Sequence, residues 1–238
     1  MTLLAVVRDV CATVGVMMPQ TVFGSINTNR TMQEMVSLAN EMAQRIAYDT
    51  RDWTALKKKA EYFISDPVFA HQTEFNLPAD YKRMLLTSNV WRSTSTQQPM
   101  RFIADTDEWM QRRAASETAT SGEWTMMDGQ LHIWPGLAML QGAYFAYLNK
   151  NCVRLAAGGY GDSFMADGDS FRLDERLLKL GMTWQWMANK GSPYAEPMGT
   201  YSDAIANAMG HDQPAPVIIG RRPSSAHGRV AYPWPLPT

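Results

Sequence analysis

Residues 211–238, HDQPAPVIIGRRPSSAHGRVAYPWPLPT, limit how much of this chain can enter a folded body. The stretch holds six prolines, three arginines and one acid, Asp212. Neither a helical nor a strand period runs through it. Such a segment cannot bury enough apolar surface to offset the entropy of ordering it. The body is therefore expected within the first 210 residues. The remainder is expected as an extended arm, held by another surface and by a partner in preference to its own subunit. In a proline-rich extended conformation at about 3.1 Å per residue, 28 residues reach roughly 85 Å. Val217, Ile218 and Ile219 form a short β-prone run that could add a strand to a sheet edge. Arg221, Arg222 and Arg229 could pair with carboxylates or phosphates.

Upstream, the apolar period changes twice. Leu3, Val7, Val10 and Val14 recur on one helical face, ended by Gly15 and Pro19. Thr31 to Glu34 has the pattern of a capping box, followed by Met32, Met35, Ala39, Met42 and Ile46 at helical spacing, and predicts a helix to about Thr50. From Trp53 the pattern becomes β-branched and aromatic. Lys57–Lys59 reads as a solvated strand edge or turn. Strands are expected around Glu61–Ile64, Val68–Phe69, Phe75, Tyr81–Val90 and Met100–Ala104, then a short helix capped by Asp105. Glu123–Met127 and Gln130–Trp134 flank Asp128-Gly129, which supplies the positive φ angles of a type I′ hairpin, with Pro135 ending the second arm. Gln141–Leu148 reads as a further strand. Helical spacing returns at Leu173, Leu177, Leu180, Trp184 and Met187, with Asp174-Glu175 in the first turn and Gly191 as the stop. A last helix is expected over 194–209, stopped by Gly210.

The expected fold class is α+β: a helical bundle built from both chain ends (1–55 and 155–210), an inserted antiparallel β subdomain (56–154) and an extended C-terminal arm (211–238). The chain has 238 residues with 45% hydrophobic and 19% charged content, enough for a sizeable core. Its net charge of −1 points away from a dedicated nucleic-acid binder, which usually shows a basic excess. Seventeen methionines and eight tryptophans suit both core filling and subunit interfaces. The opening residues lack a basic start and are interrupted by Arg8 and Asp9, so a signal peptide is not expected. No apolar run is long enough for a membrane span.

Chemistry-bearing patterns are sparse. Cys11 and Cys152 lie far apart, without metal-ligand or disulfide spacing, which fits a reducing compartment. Asp162–Asp169 superficially resembles a calcium loop, but Ser163 and Met165 occupy two of the ligand positions when Gly168 is set as the turn residue. It is expected as a loop with helix-capping acids. Ala157-Gly-Gly-Tyr-Gly161 opens no helix after a strand and is expected as a connector rather than a phosphate cradle. His71, His132, His211 and His227 show no metal-ligand spacing, and His132 is expected to face solvent. No catalytic, cofactor or metal residues are assigned, and an enzyme is not expected.

Four stretches together carry a family resemblance: NRTMQEMVSLANEMAQRIAYDTRDW, LPADYKRMLL, the hairpin WTMMDGQLHIWP and DSFRLDERLLKLGMTWQW. Their order resembles the head-to-tail adaptor (connector, head-completion) proteins of tailed bacteriophages, over most of the chain. The resemblance implies a structural virion protein forming a ring, commonly of twelve subunits, beneath the portal. The ring extends the DNA channel and presents a surface for tail attachment, and packaged DNA passes without sequence-specific binding. Host cytoplasm during assembly and the head–tail interface of the virion are its implied locations, with no membrane and no cofactor. In that setting Arg221, Arg222, Arg229, Tyr232 and Trp234, with Val217–Ile219, become the expected anchors of an arm that docks on the portal, on a neighbouring subunit or on both. A tail-terminator or tube subunit and a cytosolic enzyme with an unrecognised site are the alternatives.

Overall fold

Helix α1 (Leu3–Val14) starts where the Thr2 hydroxyl accepts from the Ala5 N–H and stops at Gly15, whose φ of 73° no β-carbon opposes. Two of its orphan N–H groups find partners from far along the chain: Leu3 donates to the Asp169 carbonyl (2.7 Å) and Leu4 to that of Asp167 (3.2 Å). The computed structural model describes residues 1–26, 29–85, 88–93, 98–116 and 119–212. Within them the chain is a mixed α+β protein with mostly antiparallel sheets.

Helix α2 (Arg30–Gln44) begins one residue before the expected box. Asn29 is its cap, its side chain accepting from the Thr31 N–H at 3.0 Å. Glu34 turns instead to Arg30 and Lys190. The expected apolar stripe, Met32, Met35, Ala39, Met42 and Ile46, is fully buried. Each such side chain contributes roughly 1.5–3 kcal/mol. The helix continues as a π-helical turn over Arg45–Asp49, closed by Thr50 donating to the Ile46 carbonyl.

The strands follow: β1 (Lys57–Phe63), β2 (Gln72–Asn76), β3 (Tyr81–Met84), β4 (Trp91–Arg92) and β5 (Arg101–Phe102). Helix α3 (Thr106–Ala114) comes next, capped as expected by Asp105, and then β6 (Glu123–Met127), β7 (Gln130–Leu137) and β8 (Gly142–Asn149). One sheet places β8 between β1 on one side and β3 and β4 on the other. A second runs β2-β7-β6-β5. Lys57–Lys59 opens the edge strand β1, in line with the edge reading. The Asp-Gly hairpin forms with Asp128 at φ 50° and Gly129 at φ 69°.

Several expectations are corrected here. Val68–Phe69 is no strand but a 3₁₀ turn after Pro67, because the Asp66 carboxylate caps the Val68 N–H. The strand near Met100 is two residues long and pairs parallel with β6. Pro135 does not end β7, which continues to Leu137 and pairs with Gln72.

A cluster of Phe75, Trp124, Leu131, Ile133, Ala60, Phe145 and Tyr147 lies between the two large sheets. The opposite face of the hairpin carries Glu123, His132 and Trp134, and α3 covers it through Arg112 and Arg113. His132 is therefore half-buried beside Glu74 rather than solvated.

A small sheet, β10 (Tyr160–Gly161), β9 (Val153–Arg154) and β11 (Ser170–Phe171), follows. The glycines at 158, 159 and 161 make its hairpin and are not a loose connector. Asp169, buried, accepts from the Ala156, Met165 and Ala166 N–H groups. Asp167 accepts from those of Val22 and Phe23. These acids organise the loop and the segment opposite it; Asp174 caps the next helix, α4 (Glu175–Asn189).

Helix α4 is buried on two sides. Leu178, Met182 and Trp186 enter the helical core, whereas Leu180 and Trp184 of the expected stripe are only half-buried. Trp184 faces Tyr201 of helix α5 (Ala195–His211), with ring centres 6.1 Å apart. Helix α5 runs past Gly210. Arg51 donates to the Met209 carbonyl, and Asp212 accepts from the Thr54 N–H at 3.1 Å, so tertiary contacts override the glycine stop. No helix among the described residues is long and apolar enough to cross a membrane.

Candidate interaction surfaces

Strands β1 and β8 define a direction. They start and finish beside the helical core, where Leu56 and Leu148 belong to the same buried cluster as α1, α2 and α4. At the seventh and last pair, six residues on from the pairing of Lys57 with Leu148, Phe63 meets Gly142. At about 3.3 Å per residue the pair carries the chain roughly 20 Å from that core.

At this far end two loops lie against each other. Ile64 N–H donates to the Gln141 carbonyl (3.0 Å), and Leu140 N–H returns a bond to the Ile64 carbonyl (2.9 Å). His71 N–H bonds the Leu137 carbonyl (2.7 Å). Contact here is close enough to require glycine: a β-carbon on Gly136 would meet the His71 carbonyl oxygen at 2.1 Å. Leu140 and His71 hold φ of 62° and 68°, which side-chain-bearing residues adopt at a cost.

The side chains on these loops are apolar and exposed. Val68 is 81% accessible and Leu140 66%, with Phe63, Phe69 and Met139 about half exposed beside them. A cavity of about 570 Å³ opens between Tyr62, Phe63, Ile64, Phe69, Gln72 and Phe75. Scattered exposed apolar residues are ordinary, but several on two interlocked loops form a patch of the kind that partners cover. The sequence reading missed this patch because it assigned Val68–Phe69 to a strand. The visible signal was the Asp66-Pro67 turn immediately before two large apolar residues.

The second surface is the root of the C-terminal segment. Thr54 clasps Asp212 by its N–H and hydroxyl, and the Arg51 guanidinium sits 3.7 Å from the Asp212 carboxylate. Arg83 pairs with Asp52 alongside. The chain therefore leaves the described body at the junction of α2 and β1. All eight residues singled out in the arm, Val217, Ile218, Ile219, Arg221, Arg222, Arg229, Tyr232 and Trp234, lie outside the described residues.

Burial raises the Cys11 thiol pKa and pushes Cys152 up to about 11, the opposite of what activates a nucleophile. Burial also raises Tyr48, whose hydroxyl donates to the Lys150 carbonyl. Glu123 is fully buried, with Arg112 donating to both its oxygens. No group of three or more metal-ligating side chains occurs among the described residues. The chain matches no family model and no curated protein.

Proposed function

We propose that the protein is a structural adaptor of the head–tail interface of a tailed bacteriophage. In this reading its subunits form a ring beneath the portal, commonly of twelve copies in the family it resembles, through which packaged DNA passes. The helices from the two ends of the chain act as a bundle facing the channel. The β subdomain carries the tail-side surface. The C-terminal arm docks on the portal through Arg221, Arg222, Arg229, Tyr232 and Trp234, with Val217–Ile219 adding a strand.

One observation supports the proposal: an exposed apolar patch and the root of the C-terminal segment lie apart on the body. The exposed apolar loops sit at the far end of β1 and β8, roughly 20 Å from the helical core, and the arm leaves from the Thr54–Asp212 clasp beside that core. A protein that joins two structures needs such a division. A near-neutral net charge also suits a channel in which tight phosphate contact would oppose DNA movement.

The test is sizing and negative-stain imaging of the full-length protein mixed with the portal protein of the same phage. Rings stacked beneath the portal are expected. A monomer without portal affinity that turns over a metabolite would overturn the reading. Removing residues 213–238 should preserve the helical and sheet signals and abolish portal attachment, because the clasp at Asp212 lies upstream of the cut.

A further inference from the structure

Helix α5 is weakly covered: of its seventeen residues only Ala204 is buried. Between it, α4 and the π-helical turn after α2 lies a groove of about 330 Å³, lined by Arg45, Asp49, Thr50, Trp184, Tyr201 and Ile205. Trp184 and Tyr201 form its aromatic wall, and the Arg45 guanidinium stands 5.7 Å above the Trp184 ring. The Trp184 indole nitrogen is shielded from solvent yet has no hydrogen-bond partner. What the groove offers an occupant is aromatic surface.

We propose that this groove holds the protein's own C-terminal segment Pro233–Pro237, bound in cis. The sequence there is Pro-Trp-Pro-Leu-Pro. Prolines supply carbonyl acceptors without competing N–H groups, and proline-rich strands dock on aromatic-lined grooves in an extended conformation that needs little further ordering. The proline rings lie on the Trp184 and Tyr201 faces, and Trp234 or Leu236 fills the apolar space.

The tether supports occupancy by the same chain. The segment departs after Asp212, and Ile205 of the groove lies six residues, about 9 Å along the helix, before His211. Some twenty residues separate Asp212 from Pro233, and they can span roughly 60 Å when extended, well beyond what the path needs. A tether of that kind gives an effective concentration on the order of millimolar, so a weak contact suffices. This cis contact belongs to the free subunit: in the adaptor reading the portal would displace it to reach Trp234, and the contact itself does not rest on that reading.

The experiment uses the full chain with Ser202→Cys on the groove rim and Thr238→Cys at the segment, treated with a short bismaleimide. Cys11 and Cys152 are buried and leave the introduced pair as the reactive thiols. A cross-link at monomer mass is expected, at least about fivefold above that of a Ser65→Cys/Thr238→Cys control at the β loops. Tyr201→Ser, which removes one side of the aromatic wall, should lower the yield about threefold or more. Pro233→Ala with Pro235→Ala should do the same while leaving the groove itself intact. Equal yields at Ser202 and Ser65, a product at twice the monomer mass, or yields unmoved by both variants would overturn the proposal.

Discussion

The Arg113 guanidinium lies 3.8 Å from the centre of the Trp134 ring and 4.6 Å from that of Trp109. Burial pushes its pKa down to about 10, against the pull of the Glu123 carboxylate, so it stays charged at neutral pH. Together with Arg112 it fastens α3 to the outer face of the hairpin. Arg112→Met should destabilise the protein by about 3 kcal/mol, because Glu123 is then left under-compensated in a buried site. Arg112→Met with Glu123→Leu should cost less than the single change. Urea unfolding of both variants checks this, and a single-variant loss under about 1 kcal/mol would show that the clamp is not structural.

Asp169 uses both carboxylate oxygens on three backbone N–H groups. Asparagine would turn a donor toward at least one of them. Asp169→Asn should therefore cost about 2–4 kcal/mol despite its unchanged size, measured by chemical denaturation.

Acid should remove a defined contribution at Asp80. Burial opposes ionisation there, but bonds from Lys58 and the Tyr147 hydroxyl outweigh it and lower the pKa below the ordinary carboxylate value near 4. A depressed folded-state pKa stabilises fully above the unfolded value, and that stabilisation is lost as pH falls through the folded one. Asp80→Asn should cost on the order of 1 kcal/mol at pH 7, kept modest by solvent around Lys58, and its gap from the native protein should close below about pH 4. A gap that persists unchanged at pH 3 would point to packing rather than charge.

At the β loops stability and attachment should separate. Phe69→Ser with Leu140→Ser removes exposed apolar surface, so thermal unfolding should move by no more than about 0.5 kcal/mol. Binding to a tail-side partner should fall at least tenfold in pull-down or sizing experiments. Gly136→Ala, by contrast, drives a β-carbon into the His71 carbonyl and should release the 64–71 loop, read as faster amide exchange there.

Much of this architecture was legible from local chemistry. The Met32–Ile46 stripe, the Asp105 cap and the Asp128-Gly129 hairpin are fixed by neighbours in sequence, so period and capping found them, whereas Asp174, expected inside the first turn of α4, is its cap. What escaped depends on distant partners. Helix α4 is buried on two flanks, which no single stripe describes. Helix α5 passes Gly210 because Arg51 and Thr54 hold its end. Val68 and Phe69 look like a strand in composition, and only the Asp66 cap and the β7 contact make them a turn on the surface. The Trp184 groove has no sequence signature, since Arg45, Trp184 and Tyr201 come from three helices.

The bonds from Leu3 and Leu4 to the carbonyls of Asp169 and Asp167 bear on the order in which the chain can fold during synthesis. The first helix leaves the ribosome more than 160 residues before the groups that receive its opening N–H donors. Strands β1 to β8, in contrast, find all their partners before residue 150. The two large sheets can therefore be complete while the N-terminal helix still waits for its seat.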